Sequence, residues 1–167
     1  MAPPSPPALR ARPLDLALVV CFAVFAFTSL VMEMYIVFDV DLRNPGADPF
    51  ARAWALYCRW DPIFLDTPPW LRIMCAIDGF VFGPFYLVLI AGLVRAREWI
   101  RLPALLYVAA IVYSTLVYFG YEFAVERERA DLVMVVLINV PYTIVPVMLG
   151  VRMWPRSAAP ATATAPR

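Results

Sequence analysis

The chain has 167 residues, of which 63% are apolar and 14% aromatic, with a net charge of +1 and a mean hydropathy of +0.73. That is the length of one domain, too apolar to cover its own surface in water and too nearly neutral to be drawn to nucleic acid. All 14 basic residues are Arg and there is no His, which excludes imidazole metal sites, Ser-His-Asp triads and imidazole acid–base steps.

Residues 1–13, MAPPSPPALRARP, are Pro-rich and are expected to be disordered. The first apolar run covers residues 14–38. It is longer than the roughly 7–15 residues of a signal-peptide core, so it reads as a retained helix. Glu33 interrupts it, in FTSLVMEMYIVF. A polar loop follows over 39–69 and contains YCRWDPIFLDTPPW. Its Asp61 and Asp66, with the rigid Pro68-Pro69 pair, fit a lid over the end of the helices and a solvated loop equally well. The second run, 70–94, carries Asp78 in IMCAIDGFVFGPF. A short basic loop, RAREWIR (95–101), leads to the third run, 102–124, where Ser114, Tyr118 and Glu122 are spaced i,i+4 on one face. The charged loop VERERAD (125–131) precedes the fourth run, 132–154, with Asn139 and Tyr142 at i,i+3. The tail 155–167, PRSAAPATATAPR, is again expected to be disordered.

Each run meets the roughly 20 residues needed to cross the hydrocarbon core. Segments such as LVMVVLINVPYTIVPVML have no polar face to show to water. The chain therefore reads as an all-α integral membrane protein, a four-helix transmembrane bundle spanning 14–154. With the N-terminus inside, the inner face holds eight Arg and the outer face six, mostly in the long loop. That places both termini on the cytoplasmic side. The sequence does not identify the host membrane, and it leaves a homodimer open beside a monomer. Trp70, Trp99 and Trp154 fall at helix ends, where interfacial anchors belong. Cys21, Cys58 and Cys75 form no CxxC pair and read as small buried hydrophobes. No metal and no cofactor is expected.

A carboxylate inside the bilayer costs on the order of 3 kcal/mol even on the mildest scale. Glu33 and Asp78 lie roughly 8 Å and roughly 12 Å below the same surface, at ~1.5 Å per residue. Ser114 and Asn139 fall in the same half of the membrane. Polar groups at matched depth on different helices are what a shared internal pocket requires. Pro84, Pro141 and Pro146 interrupt helices and open space between them. Aromatics such as Phe80, Phe82, Phe85, Tyr86, Tyr113, Tyr118, Phe119 and Tyr142 suit a hydrophobic ligand that carries a cation or develops one. The residues themselves thus point to a pocket for a lipophilic ligand, with Glu33, Asp78, Ser114, Tyr118, Asn139 and Tyr142 as candidate lining.

The order of these motifs resembles the EXPERA family, whose members include the emopamil-binding sterol Δ8–Δ7 isomerase and the sigma-2 receptor. FTSLVMEMYIVF is similar to the family's first-helix motif. YCRWDPIFLDTPPW, WIRLPALLY and INVPYTIVP resemble the receptor branch, while Gly83-Pro84, YSTLVYFGYE and Asn139 resemble the isomerase branch. The resemblance implies a membrane domain that binds sterols and cationic amphiphiles, with Glu33, Asp61, Asp78, Asn139 and Tyr142 lining the site. It leaves open a sterol or isoprenoid binding protein and, as the alternative, a double-bond isomerase with Glu33 and Asp78 as catalytic acid and base. The isomerase has a His one turn before its first-helix Glu; here Ser29 stands there. Its second carboxylate falls near Cys75 rather than Asp78.

Overall fold

The structure, a computed structural model, describes residues 7–155. Of the tails expected at 1–13 and 155–167, residues 1–6 and 156–167 lie outside the described residues. Residues Leu9–Ala11 form a single 3-10 turn that leads straight into the first helix.

The elements are α1 (Pro13–Val37), α2 (Pro49–Tyr57), α3 (Ile63–Asp66), α4 (Pro69–Val94), α5 (Glu98–Glu126) and α6 (Leu132–Met153). Among the described residues all regular structure is helical, and α1, α4, α5 and α6 are the four helices long and apolar enough to cross a membrane. Pro13, Pro49 and Pro69 open three of the helices, where a missing N–H costs nothing. Asp48 caps α2 by accepting from Phe50 N at 2.8 Å and Ala51 N at 3.1 Å. Asp131 caps α6 through Met134 N at 3.2 Å.

In lipid there is little hydrophobic drive between helices, so close approach matters most. α1 packs along α4, and α5 along α6. Gly79 and Gly83, one turn apart on α4, let α1 come close. A Cβ on Gly79 would lie 1.9 Å from Met34 Cε and 3.2 Å from the Ser29 carbonyl oxygen; one on Gly83 would lie 2.7 Å from Leu30 Cδ2. Ser29 itself is buried at this crossing.

Three spanning helices each contain one π-helical turn: Thr28–Met32 in α1, Asp78–Phe82 in α4 and Glu122–Glu126 in α5. In α6 the helix is interrupted at Val140, between Asn139 and Pro141. Such interruptions re-aim side chains and free backbone groups.

The bundle has two cores. One end, near the termini, is filled by Phe22, Tyr86, Leu89, Tyr107 and Leu149. It is tied by Asp15, only 2% exposed. Asp15 accepts from Arg12 at 2.7 Å and from Arg152 Nε at 2.9 Å, while Arg12 also donates to the Leu93 and Val94 carbonyls at the end of α4, both at 2.8 Å. The other end is capped by the long loop, which folds as a lid rather than lying in solvent. Trp54, Cys58, Ile63 and Phe64 are buried in it. The Trp54 indole donates to the Met32 carbonyl, at the end of the π turn of α1, at 2.6 Å.

Trp99 and Trp154 are 59% and 69% exposed at helix ends. Trp70 instead turns inward against Tyr121, with ring centroids 4.8 Å apart.

Candidate functional site

Under the lid lies a cavity of about 220 Å³ to which all four spanning helices contribute. α1 supplies Thr28, Met32 and Glu33; α4 supplies Leu71, Met74, Cys75 and Asp78. α5 supplies Ile111, Ser114, Thr115 and Tyr118, and α6 supplies Ile138, Asn139 and Tyr142. The lid adds Ala53, Trp54, Tyr57 and Phe64. Of these, Ala53 and Ile138 are also exposed on the outside, so they mark the mouth.

Glu33 and Asp78 face each other within hydrogen-bonding reach. Glu33 Oε2 is buried, and among the described residues it has no hydrogen-bond partner. Both residues adjoin π turns: Glu33 follows the one in α1, and Asp78 opens the one in α4. With the glycine crossing, these turns bring two carboxyls from separate helices together on an otherwise apolar wall.

A second polar group flanks the cavity. Asn139 Nδ2 donates to the Tyr57 hydroxyl at 2.8 Å, and Tyr57 donates to Asp61 Oδ2 at 2.8 Å. The Tyr118 hydroxyl donates to the same oxygen. Asp61 is completely buried and does not line the cavity. It was expected to touch a ligand directly; it stands behind Tyr57 and Tyr118 instead, because the lid turns its side chain into the protein. Burial raises the Asp61 carboxyl above the usual aspartate value, more than the bonds from the two tyrosines lower it. Burial and the neighbouring Asp61 charge push the Tyr57 phenol up. The Cys58 thiol is raised to about 11, chiefly by burial.

On the remaining wall, Tyr142 donates to Thr28 Oγ1 at 2.9 Å and stacks on Phe25 with ring centroids 4.3 Å apart. The ladder Ser114–Tyr118–Glu122 divides: the first two line the cavity, while Glu122 is fully buried beyond it, with neither oxygen partnered among the described residues.

The aromatic lining differs from the expectation. Phe80 and Tyr113 are 61% and 72% exposed on the outside of the bundle. Tyr86 is fully buried and joins Phe82 and Phe85 in the other core. Among the eight aromatics expected, Tyr118 and Tyr142 reach the cavity, and Trp54, Tyr57 and Phe64 of the lid complete its aromatic surface. A signal for these was present: Trp54, Tyr57, Cys58 and Asp61 follow i, i+3, i+4, i+7, the period of one helical face.

Comparison with known proteins agrees with this architecture. Residues 47–153 match the model of EXPERA, the expanded EBP superfamily. Asp61, Asp78, Ser114, Tyr118, Asn139 and Tyr142 fall within the matched segment, and Glu33 precedes it. The chain is 24% identical over 110 residues to Sigma intracellular receptor 2 of Xenopus tropicalis, a match covering 60% of this chain and 64% of that protein. The chain thus spans less than two thirds of the length of this curated relative. No solved structure gives a significant match. With four spanning helices and a family match over most of its length, this multi-pass integral membrane protein belongs to the EXPERA family.

Proposed function

We propose that the chain binds a lipophilic small molecule of sterol or isoprenoid type within the membrane, and that Glu33 and Asp78 recognise a cationic group on it. The observation that carries this reading is the meeting of two carboxyls from α1 and α4 on the wall of a mostly apolar cavity. A carboxyl pair is costly in lipid and adds nothing to packing that apolar side chains would not. It suits a ligand whose positive charge compensates the buried carboxyls. Aromatic faces from Trp54, Tyr57, Tyr118 and Tyr142 add cation–π attraction. Ser114 and Asn139 offer hydrogen bonds to a polar substituent. The mouth at Ala53 and Ile138 is apolar, consistent with entry from lipid. The name of the relative, an intracellular receptor, fits a binding role. The test is titration of purified protein with a radiolabelled cationic sterol analogue. Glu33→Gln and Asp78→Asn should each weaken binding about tenfold or more, the size expected for loss of a desolvated charge contact. Unchanged affinity in both variants would refute the assignment.

The two carboxyls on one cavity wall also fit a second reading, a double-bond isomerase. One carboxyl would protonate an alkene carbon, leaving a carbocation. The other carboxylate would remove a proton from an adjacent carbon, so that the double bond moves and no atoms are gained or lost. Ser29, at the position of the isomerase's His, is buried against α4 and cannot assist from the cavity wall. Incubation with a Δ8 sterol in heavy water separates the readings. A shifted double bond carrying solvent deuterium, lost in Glu33→Gln, would establish turnover. No incorporation by protein that still binds the sterol would establish binding alone.

The Arg distribution further supports both termini facing the cytoplasm. Protease protection of terminal tags in sealed microsomes tests this; protected tags would reverse the orientation.

A further inference from the structure

The Phe64 ring forms part of two walls. On one side is the cavity; on the other is a polar pocket of about 240 Å³ between the end of α1 and the lid, whose lining includes Tyr35, Asp39, Asp41, Arg43 and Thr67. We infer that this pocket is an aqueous vestibule, and that Phe64 is the barrier through which water and protons reach the Glu33–Asp78 pair.

Four observations carry the inference. First, the charges around the vestibule are already partnered. Asp41 accepts from Arg43 N at 2.9 Å and Asn44 Nδ2 at 2.8 Å, Arg43 pairs with Asp66 at 2.9 Å, and Asp39 pairs with Arg72. A polar space of that kind holds water rather than a counter-ion. Second, Phe64 is 8% exposed and its ring is held from the cavity side by Trp54 at 4.9 Å and Tyr57 at 5.5 Å between centroids. Third, the backbone beside the ring is fixed. Thr67, at φ 37, donates its hydroxyl to the Phe64 carbonyl at 2.9 Å, immediately before Pro68. Fourth, two other boundaries of the cavity are apolar. The far end is filled by Phe22, Leu89 and Leu149, each 0% exposed, and the mouth at Ala53 and Ile138 is apolar. A buried carboxyl pair exchanges protons with bulk solvent only along a polar path, and the vestibule lies a single side chain, Phe64, from the cavity that holds the pair.

The inference stands independently of which ligand the cavity takes, and its test uses none. Cys75 lines the cavity and serves as a native reporter. The protein carries Cys21→Ala and Cys58→Ala and is placed in lipid nanodiscs, which expose both faces to water. Labelling of Cys75 is timed with a trimethylammonium methanethiosulfonate, confined to water, and with N-ethylmaleimide, which also enters through lipid. Phe64→Ala removes the ring and should speed the charged reagent about tenfold or more, while N-ethylmaleimide changes little. Phe64→Leu gives a milder opening where the alanine variant does not fold. Ser114→Cys, in a background that also carries Cys75→Ala, repeats the measurement from α5. Equal rates with the charged reagent for Phe64 and its variants at both reporter positions would overturn the inference. Rapid labelling of Cys75 with Phe64 in place would overturn it as well.

Discussion

Asp61 and Asp66 stand five residues apart on the lid and respond to pH in opposite senses. Burial raises the Asp61 carboxyl above its ordinary value of 3.8. The folded chain therefore holds this proton more tightly than the unfolded chain. The stabilisation is present at low pH and is lost as pH rises from 3.8 through the higher folded value. Asp66 is lowered, first by the hydrogen bond from Arg129 and also by Arg43. It stabilises the fold above 3.8 and loses that contribution as pH falls below it. Melting temperatures from about pH 3 to pH 8 should show wild type losing ground to Asp61→Asn as pH rises. Asp66→Asn should be less stable than wild type at neutral pH, with the gap closing in acid. Parallel melting curves for wild type and Asp61→Asn would show that the lid does not bury this carboxyl. The contrast with Glu33 and Asp78 explains what could be read in advance. A carboxyl inside an apolar run is conspicuous by hydropathy alone. A carboxyl in a loop of mixed composition is not, because only the tertiary fold decides whether it is buried. Asp15 escaped notice for a related reason: at the start of the first run, a charge looks like an ordinary helix-end residue.

At the scale of elements, the α1–α4 crossing decides whether the carboxyl pair exists. The apolar runs were legible from length and hydropathy, and their bounds agree with the helices to within a few residues. The partner of each helix was not legible, since the outward and inward faces are equally apolar. The informative signal was Gly79 and Gly83 at i,i+4, a small-residue seam of the type that brings membrane helices together. A methyl on Gly83 would meet Leu30 Cδ2 at 2.7 Å and Cγ at 2.8 Å. Gly83→Ala should therefore destabilise by about 1–3 kcal/mol, the usual cost of overpacking. Leu30→Ala in the same chain removes the obstructing atoms. The double variant should then be more stable than the sum of the single effects, with a coupling of about 1 kcal/mol or more in a double-mutant cycle. Additive effects would mean that the helices do not meet here. The lid offers an independent check. Trp54→Phe keeps most of the packing but removes the indole donor to the Met32 carbonyl, and should cost about 1 kcal/mol. The spacing of Trp54, Tyr57 and Cys58 is that of one helical face, a signal that the reading of 39–69 as a polar loop left unused, and the docking of this helix on a π turn has no signature in the sequence.

For the whole molecule, the two ends of the bundle divide the labour between holding the fold and holding a site. At the end near the termini, aromatic and aliphatic side chains fill the space, and Asp15 ties α1 to α6 through Arg152. Arg12, paired to the same carboxylate, covers the last carbonyls of α4. At the lid end, packing gives way to the cavity, with Glu33 and Asp78 on its wall and the Asn139–Tyr57–Asp61 chain flanking it. Breaking a buried ion pair by removing one partner leaves the other charge unpaired, at about 3 kcal/mol or more. Asp15→Ala leaves Arg152 without its carboxylate, while Arg12 keeps the Leu93 and Val94 carbonyls, and the melting temperature should fall. It lies in the other core from the cavity, so the affinity of the folded fraction for a cationic amphiphile should stay within about twofold of wild type, as for independent sites. Glu33→Gln should do the reverse, weakening binding while leaving stability unchanged or improved, because a neutral amide sits in the bilayer at lower cost than an ionised carboxylate. Thermal melting and ligand titration on the same two preparations check both halves. Loss of affinity in Asp15→Ala in parallel with its loss of stability would show that the two ends act as one unit, and that the cavity is sensitive to the packing of the whole bundle.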